Sequence, residues 1–186
     1  MKDVEAIKFL ESKRVFLRPI EQDDIDLIYH HTLWEKEGRR LTGTKAVFTY
    51  TKVQQFYENA AVDSSRIDLL ICLQETNEPI GDLAMMDIDH QNQHAVVRIS
   101  IFDPTYFGNG YGTEALSLLL EYGFDMLNLN RIGLDVFAFN ERAIKAYKKL
   151  GFQQEGRIRE TLFYNGEYHD SIIMGVLRNE FVRDRQ

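Results

Sequence analysis

Gly108, Gly110 and Gly112 alternate within the run FDPTYFGNGYGTEALSLLLEYGF, residues 102–124, between an apolar stretch that stops at Pro104 and a leucine-rich stretch of helical spacing. Without Cβ atoms at these positions the chain can turn tightly and its main chain can approach a ligand closely. A helix that opens near Tyr111 leaves its first N–H groups unpaired, and with the helix dipole they favour an anion. No Asp, Glu, Lys or Arg falls between Pro104 and Thr113, so the chemistry on offer is phosphate binding by backbone amides. The first carboxylate, Glu114, lies inside the opening helical turn, where its side chain can point away. On the local string alone a second reading stands beside this one: a glycine-rich connector that only joins strand to helix.

Two nucleotide motifs can be tested on the same residues. Gly110-x-Gly112-x-x-Ala115 has the form of the dinucleotide fingerprint, and Asp135 follows about 20 residues later. A Rossmann unit opens with that motif, whereas here it lies past the middle of the chain and Asp135 sits within its strand. A P-loop is excluded because no Gly-Lys-Ser/Thr follows the glycines.

Strands and helices must deliver these residues to one place. AVVRISIF at 95–102 runs into the turn, and RIDLLICL at 66–73 and IGDLAMMDI at 80–88, joined by ETNEP and DHQNQH, read as its antiparallel neighbours. Upstream, RVFLR at 14–18 leads through Pro19 into a helix over EQDDIDLIYHH. Residues 34–49 have no period and two glycines and read as a loop, and a helix follows from Tyr50 to Asn59. The helix from Tyr111 to Leu127 is apolar over most of its circumference, as expected if it covers a sheet. RIGLDVFAF at 131–139 is the next strand; Asn140 then caps a helix over ERAIKAYKKL, which Gly151 stops. GRIRETLFY and EYHDSIIMGVL form a hairpin about Asn165-Gly166, a strong signal for a two-residue primed turn. The expected class is α/β (α+β): one mixed, mostly antiparallel central sheet of about seven strands with helices on both faces. Ligands on such sheets bind where neighbouring strands diverge, which predicts a site between strands 95–102 and 131–139.

Composition narrows the partners. A chain of 186 residues with a 44% hydrophobic fraction suits one domain, 1–186. No run is long enough for a membrane span and the amino terminus has no apolar leader, so the expectation is a cytoplasmic protein with no membrane partner. A formal charge of −7 disfavours nucleic acid and suits a cationic substrate. The single cysteine, Cys72, lies in the apolar IDLLICL and reads as a core residue. His90 and His94 sit in a polar turn with no helix to align them, and no metal site is expected.

With PTYFGNGYGTEAL at 104–116, NERAIKAYKKLGF at 140–152 and EGRIRETLFYNGEYHDSIIM at 155–174 in place, the chain resembles the GNAT superfamily of acyl-CoA-dependent N-acetyltransferases. Within it the sequence is similar to the RimJ/RimL-like branch, which includes enzymes that acetylate polyamines. The resemblance covers about residues 12–178. It implies acetyl-CoA as cosubstrate, no metal, and direct acetyl transfer to a primary amine, either a small cationic amine or a protein N-terminus; a homodimer is expected. It implies further that the pyrophosphate lies over Gly108, Asn109, Gly110, Tyr111, Gly112 and Thr113, with the pantetheine along strand 95–102. Phe107 stands where Gln or Arg is common. Asn140 would face the pantetheine, and Tyr147 would bring its hydroxyl to the thioester sulfur as general acid. Its helical spacing alone makes Tyr147 a core residue with the hydroxyl at the rim. The attacked oxygen would take a main-chain N–H near Ile101 or Phe102.

The general base has no obvious owner, because Ala95-Val96 stands where the branch often carries Ala-Glu. Asp87, Asp89 and His90 are the physical substitutes; a histidine has an unperturbed pKa of about 6.5. Solvated turn residues, with proton loss through water, are the other reading. Glu160 and Tyr164 are expected to border the acceptor cleft. Two competing functions remain at this level: a catalytically impaired acyl-CoA-binding or sensor module, motivated by Val96, and a structural domain that self-associates through the hairpin at 155–177.

Overall fold

A computed structural model describes residues 7–34 and 36–183, without the side chains of 32–34. Eight strands form one sheet in the order β1-β2-β3-β4-β5-β6-β8-β7. They are β1 (Leu10–Glu11), β2 (Val15–Pro19), β3 (Ile67–Leu73), β4 (Pro79–Asp89), β5 (His94–Ile101), β6 (Arg131–Phe137), β7 (Gln153–Tyr164) and β8 (Glu167–Leu177). Five helices cover it: α1 (Ile25–Trp34), α2 (Lys36–Thr42), α3 (Tyr50–Val62), α4 (Tyr111–Glu121) and α5 (Glu141–Lys149).

Alternation along the strands builds a core on each face. Val15, Leu17, Leu69, Ile71, Ala95 and Val97 point to one side, where Leu116, Leu119 and Leu120 of α4 and the partly buried Ile144 and Tyr147 of α5 pack. Phe16, Leu70, Cys72 and Phe102 point to the other, against Ile25 and Ile28 of α1 and Val53 of α3.

All pairs in the sheet are antiparallel except β5 with β6, which run parallel and pair only at His94↔Arg131, Ala95↔Ile132 and Val96↔Gly133. Beyond Val96 they separate. At the β7–β8 hairpin Asn165 and Gly166 both have positive φ, 51° and 87°, as the primed turn requires.

The expectations differ from the structure in detail. The eighth strand is the two-residue β1, too short to leave a pattern. The region read as a loop holds α2, supported by a Glu37–Arg40 ion pair at 2.8 Å and stopped by Gly43 at φ +67°. Helix α4 ends at Glu121, and the chain continues to Met126 in a wider turn that Leu127 N–H closes on Tyr122 O at 3.1 Å.

Candidate active site

The parting of β5 and β6 opens a cleft of about 800 Å³. One wall is β5 from Val96 to Ile101; the other is Asp135 and Phe137 of β6 with Asn140, Ala143 and Tyr147 of α5. The glycine turn, through Phe107, Gly108, Gly110, Gly112 and Thr113, closes one end. Gly38, Leu41 and Thr42 of α2, with Met86 and Arg98, border the other.

The turn takes its shape from residues that tolerate positive φ, Gly108 at 78° and Gly110 at 85°, the latter serving as N-cap of α4. Glu114 N–H is the first to bond back, to Gly110 O at 3.0 Å, so the amides of Tyr111, Gly112 and Thr113 carry the orphan donors of the helix start. Glu114 is turned away and buried. It accepts from Ser12 Oγ at 2.7 Å, from Arg14 N–H at 2.8 Å and from Arg14 Nε at 2.7 Å. Arg14 in turn donates to Asn109 O at 2.9 Å, so a residue of the bend between β1 and β2 braces the turn from behind.

Strand β5 offers a free edge to the cleft. Phe102 N–H donates to Ile80 O at 2.9 Å, and by antiparallel alternation Ser100 and Arg98 also bond toward β4. Ile99 and Ile101 therefore aim their N–H groups at the side from which β6 has withdrawn. An extended ligand carrying amides can add there as a strand does.

Tyr147 lines the cleft from α5, its ring 5.8 Å from Phe152. Burial, with a smaller push from the Asp135 carboxylate, raises its phenol to about 12. Asn140 accepts from Ala143 N–H at 3.2 Å and so caps the helix that carries Tyr147. Arg142, five residues before Tyr147, lays its guanidinium 3.8 Å from the centroid of the Phe107 ring and ties α5 to the glycine turn. On the floor at the α2 end, Arg98 bonds Asp82 at 2.6 Å and Asp68 at 3.4 Å, and Asp68 is also held by Arg66 at 2.7 Å. The Asp82 charge raises the Arg98 guanidinium pKa further.

Ile101, Phe107, Gly108, Gly110, Gly112, Thr113, Asn140 and Tyr147 thus meet on one cleft. Other residues singled out from sequence lie elsewhere. Phe102 points to the opposite face, stacked on His31 at 4.7 Å, and its N–H is taken, which leaves Ile101 as the open amide. Asn109 faces a neighbouring hollow, and the Tyr111 ring lies beneath Arg14 at 5.1 Å. Asp89 and His90 do not line the cleft, because the β4–β5 turn belongs to the end of the sheet where β5 and β6 are still paired. Asp89 closes that turn by accepting from Asn92 N–H at 2.8 Å and Asn92 Nδ2 at 2.7 Å, which holds its carboxyl below the usual range. Glu160, at φ +54° in a bulge, and Tyr164 also lie outside the cleft lining. Asp135, weighed from sequence only against the dinucleotide fingerprint and not as a cleft residue, is a carboxylate two residues beyond the last β5–β6 pair, on the cleft and near Tyr147. Its signal was its place in the strand after the turn, visible once that strand is known to diverge. Among the described residues no group of His, Cys, Asp or Glu could hold a metal ion.

A turn whose amides are open to an anion, a free strand edge beside it and a phenol on the facing wall have the chemistry an acyl-CoA-dependent transferase needs. Residues 14–153 match the Acetyltransferase (GNAT) domain. The chain is 31% identical to spermidine N(1)-acetyltransferase of Escherichia coli K12 over 173 residues, covering 92% of this chain and 90% of that one. It is 32% identical to the SPbeta prophage-derived uncharacterized N-acetyltransferase YokL of Bacillus subtilis over 177 residues, covering 95% and 97%. Its fold superposes on spermidine N-acetyltransferase from Vibrio cholerae, solved in complex with CoA and spermine, with a TM-score of 0.82 at 24% identity, covering 89% of this chain and 96% of that one. The chain belongs to the GNAT acetyltransferase family and is an acetyl-CoA-dependent N-acetyltransferase.

Proposed function

We propose that the acceptor is a small polyamine, with spermidine the first candidate, and that transfer is direct within a ternary complex. The observation that carries this reading is the near full-length similarity to spermidine N(1)-acetyltransferase. The net charge of −7 supports a polycationic acceptor.

Acetyl-CoA lies with its pyrophosphate over the amides of 108–113 and its pantetheine along Ile99 and Ile101. The acceptor comes from the α2 end. Its neutral nitrogen attacks the thioester carbon; a C–N bond forms, the C–S bond breaks, and the nitrogen loses one proton. The Ile101 N–H is the main-chain donor nearest the thioester end for the oxygen that gains charge. Asp135 attracts the ammonium, which gives one proton to water to become the neutral amine that attacks; Asp135 then takes the second proton that the nitrogen releases, since bonding to the carbonyl makes that N–H strongly acidic. Tyr147 donates to the departing sulfur. A phenol near 12 stays protonated at neutral pH, while a thiol ionises near 8.5, so the hydroxyl acts chiefly as a hydrogen-bond donor to the thiolate.

The test is an amine panel of spermidine, spermine, monoamines, an aminoglycoside and peptides beginning Ser, Ala or Met, scored for coenzyme A release, with Asp135→Asn run in parallel. Release with spermidine, falling roughly 10- to 100-fold in Asp135→Asn, is expected. Release only with peptides would overturn the polyamine reading, and release with no amine despite acetyl-CoA binding would make the chain a sensor. An unaltered Asp135→Asn rate would remove that carboxylate from the chemistry.

We infer also that two copies associate through β7, an edge strand of 12 residues with Ile158 50% and Phe163 47% exposed. Light scattering should then give twice the 21.8 kDa chain mass; the single mass would refute it.

A further inference from the structure

On the outer flank of the glycine turn lies a second hollow, of about 390 Å³, that shares Gly108, Gly110, Thr113, Lys149 and Leu150 with the main cleft. Three cations line it: Arg14 from the bend just before β2, Lys149 from the last turn of α5, and Arg183 near the carboxyl end. In a chain that carries a formal charge of −7, such a convergence needs a reason. Two of the three are held in place. Glu114 and Asn109 O fix Arg14, and Asp125 and Glu121 hold Arg183 at 2.8 and 3.7 Å. None of those three carboxylates lines the hollow, so the surface presented to a ligand is cationic. Lys149 makes no ion pair among the described residues and has its ammonium to offer.

The chemistry of the cosubstrate says what fits. On one side of its pyrophosphate, coenzyme A carries pantetheine; on the other it carries a ribose whose 3′ position bears a phosphate of nearly two negative charges. With the pyrophosphate over the turn and the pantetheine in the main cleft, the other arm leaves the turn on the flank where the hollow lies. We propose that Arg14, Lys149 and Arg183 bind the 3′-phosphate of coenzyme A and make the enzyme discriminate against cosubstrates that lack it. This rests on the placement of the pyrophosphate at the turn, and it adds a selectivity that the turn cannot provide, because backbone amides over the pyrophosphate meet the same atoms in either cosubstrate.

The experiment compares acetyl-CoA with acetyl-3′-dephospho-CoA under saturating amine, in the wild type and in Lys149→Ala and Arg183→Ala. The wild type should show a KM for the dephospho form about tenfold or more higher, and each substitution should pull the ratio of the two KM values toward one. Equal KM values in the wild type would overturn the proposal, as would substitutions that raise both values in step. Adenosine 3′,5′-bisphosphate should compete with acetyl-CoA in the wild type better than adenosine 5′-monophosphate does, and lose that advantage in Lys149→Ala. Failure of both cosubstrates to bind in calorimetry would instead overturn the placement at the turn, so the two ideas fail separately.

Discussion

Tyr147→Phe keeps the ring against Phe152 and removes only the hydroxyl, so it separates chemistry from packing. Turnover should fall roughly 100-fold with little change in acetyl-CoA affinity. Full turnover under conditions where chemistry limits the rate would return Tyr147 to the core. For the turn, Gly108 is a cleaner probe than Gly110. A Cβ at Gly110 would meet Arg14 Nη2 at 3.1 Å and disturb the brace, whereas a Cβ at Gly108 meets nothing within 4 Å. Gly108→Ala should cost about 1–2 kcal/mol in backbone strain yet weaken acetyl-CoA binding at least tenfold. Unchanged affinity in the folded variant, measured by calorimetry beside thermal unfolding, would sink the placement of the pyrophosphate. These glycines were legible because their effect is local: consecutive residues make a turn, and a turn aims amides. Arg14 was not, since it reaches Glu114 across 100 positions and no nearby residue marks it as a neighbour. The places of Arg98 and Asp135 on the cleft were hidden for the same reason, arising only where β4, β5 and β6 come together.

Helix α4 is positioned from two directions, by its apolar face on the sheet and by Glu114, which ties it to Ser12 and Arg14. Burial acts to raise the Glu114 carboxyl, but the donors from Ser12 and Arg14 outweigh it and the net shift is downward. A depressed folded-state value means that this carboxylate stabilises the fold above its unfolded pKa of about 4.3 and that the contribution is lost as pH falls through the folded value. Glu114→Gln should lower stability at pH 7 by about 2 kcal/mol in urea unfolding and flatten the acid limb of the stability profile. An acid limb of unchanged slope would show that other carboxylates govern it. Elements with a strong internal period, such as α5 with its Asn140 cap, were readable from sequence. Helix α2 was not, because seven residues that include Gly38 have too few apolar positions to show a period, and packing against α1 and β5 decides its state.

Charge acts over the whole molecule and in opposite senses on its two substrates. On the reading proposed above, the overall −7 would draw in a polycation, while the local cations beside the turn would receive a polyanion. Raising salt from 0.1 to 1 M, which shortens the screening length from about 10 to about 3 Å, should therefore reduce kcat/KM for spermidine about threefold more than for a monoamine. Equal losses would place the preference in direct contacts instead. The general class, a mixed sheet with a cleft between the strands that end and follow the turn, could be read in the sequence because hydrophobic alternation and turn residues recur along it. How far β5 and β6 remain together could not, since both strands keep their alternation past the point of separation. That separation has a consequence for the life of the protein. The strands from β1 to β5 and those from β6 to β8 are joined in the sheet by three residue pairs alone, and a cosubstrate laid along the open edge, as proposed above, would act as a suture between them. A ligand held at a hundred times its dissociation constant adds about 2.7 kcal/mol to the folded state. Should acetyl-CoA run low, that contribution would be withdrawn and the unfolded population open to proteases would rise, so the amount of enzyme is expected to follow the supply of its own acetyl donor.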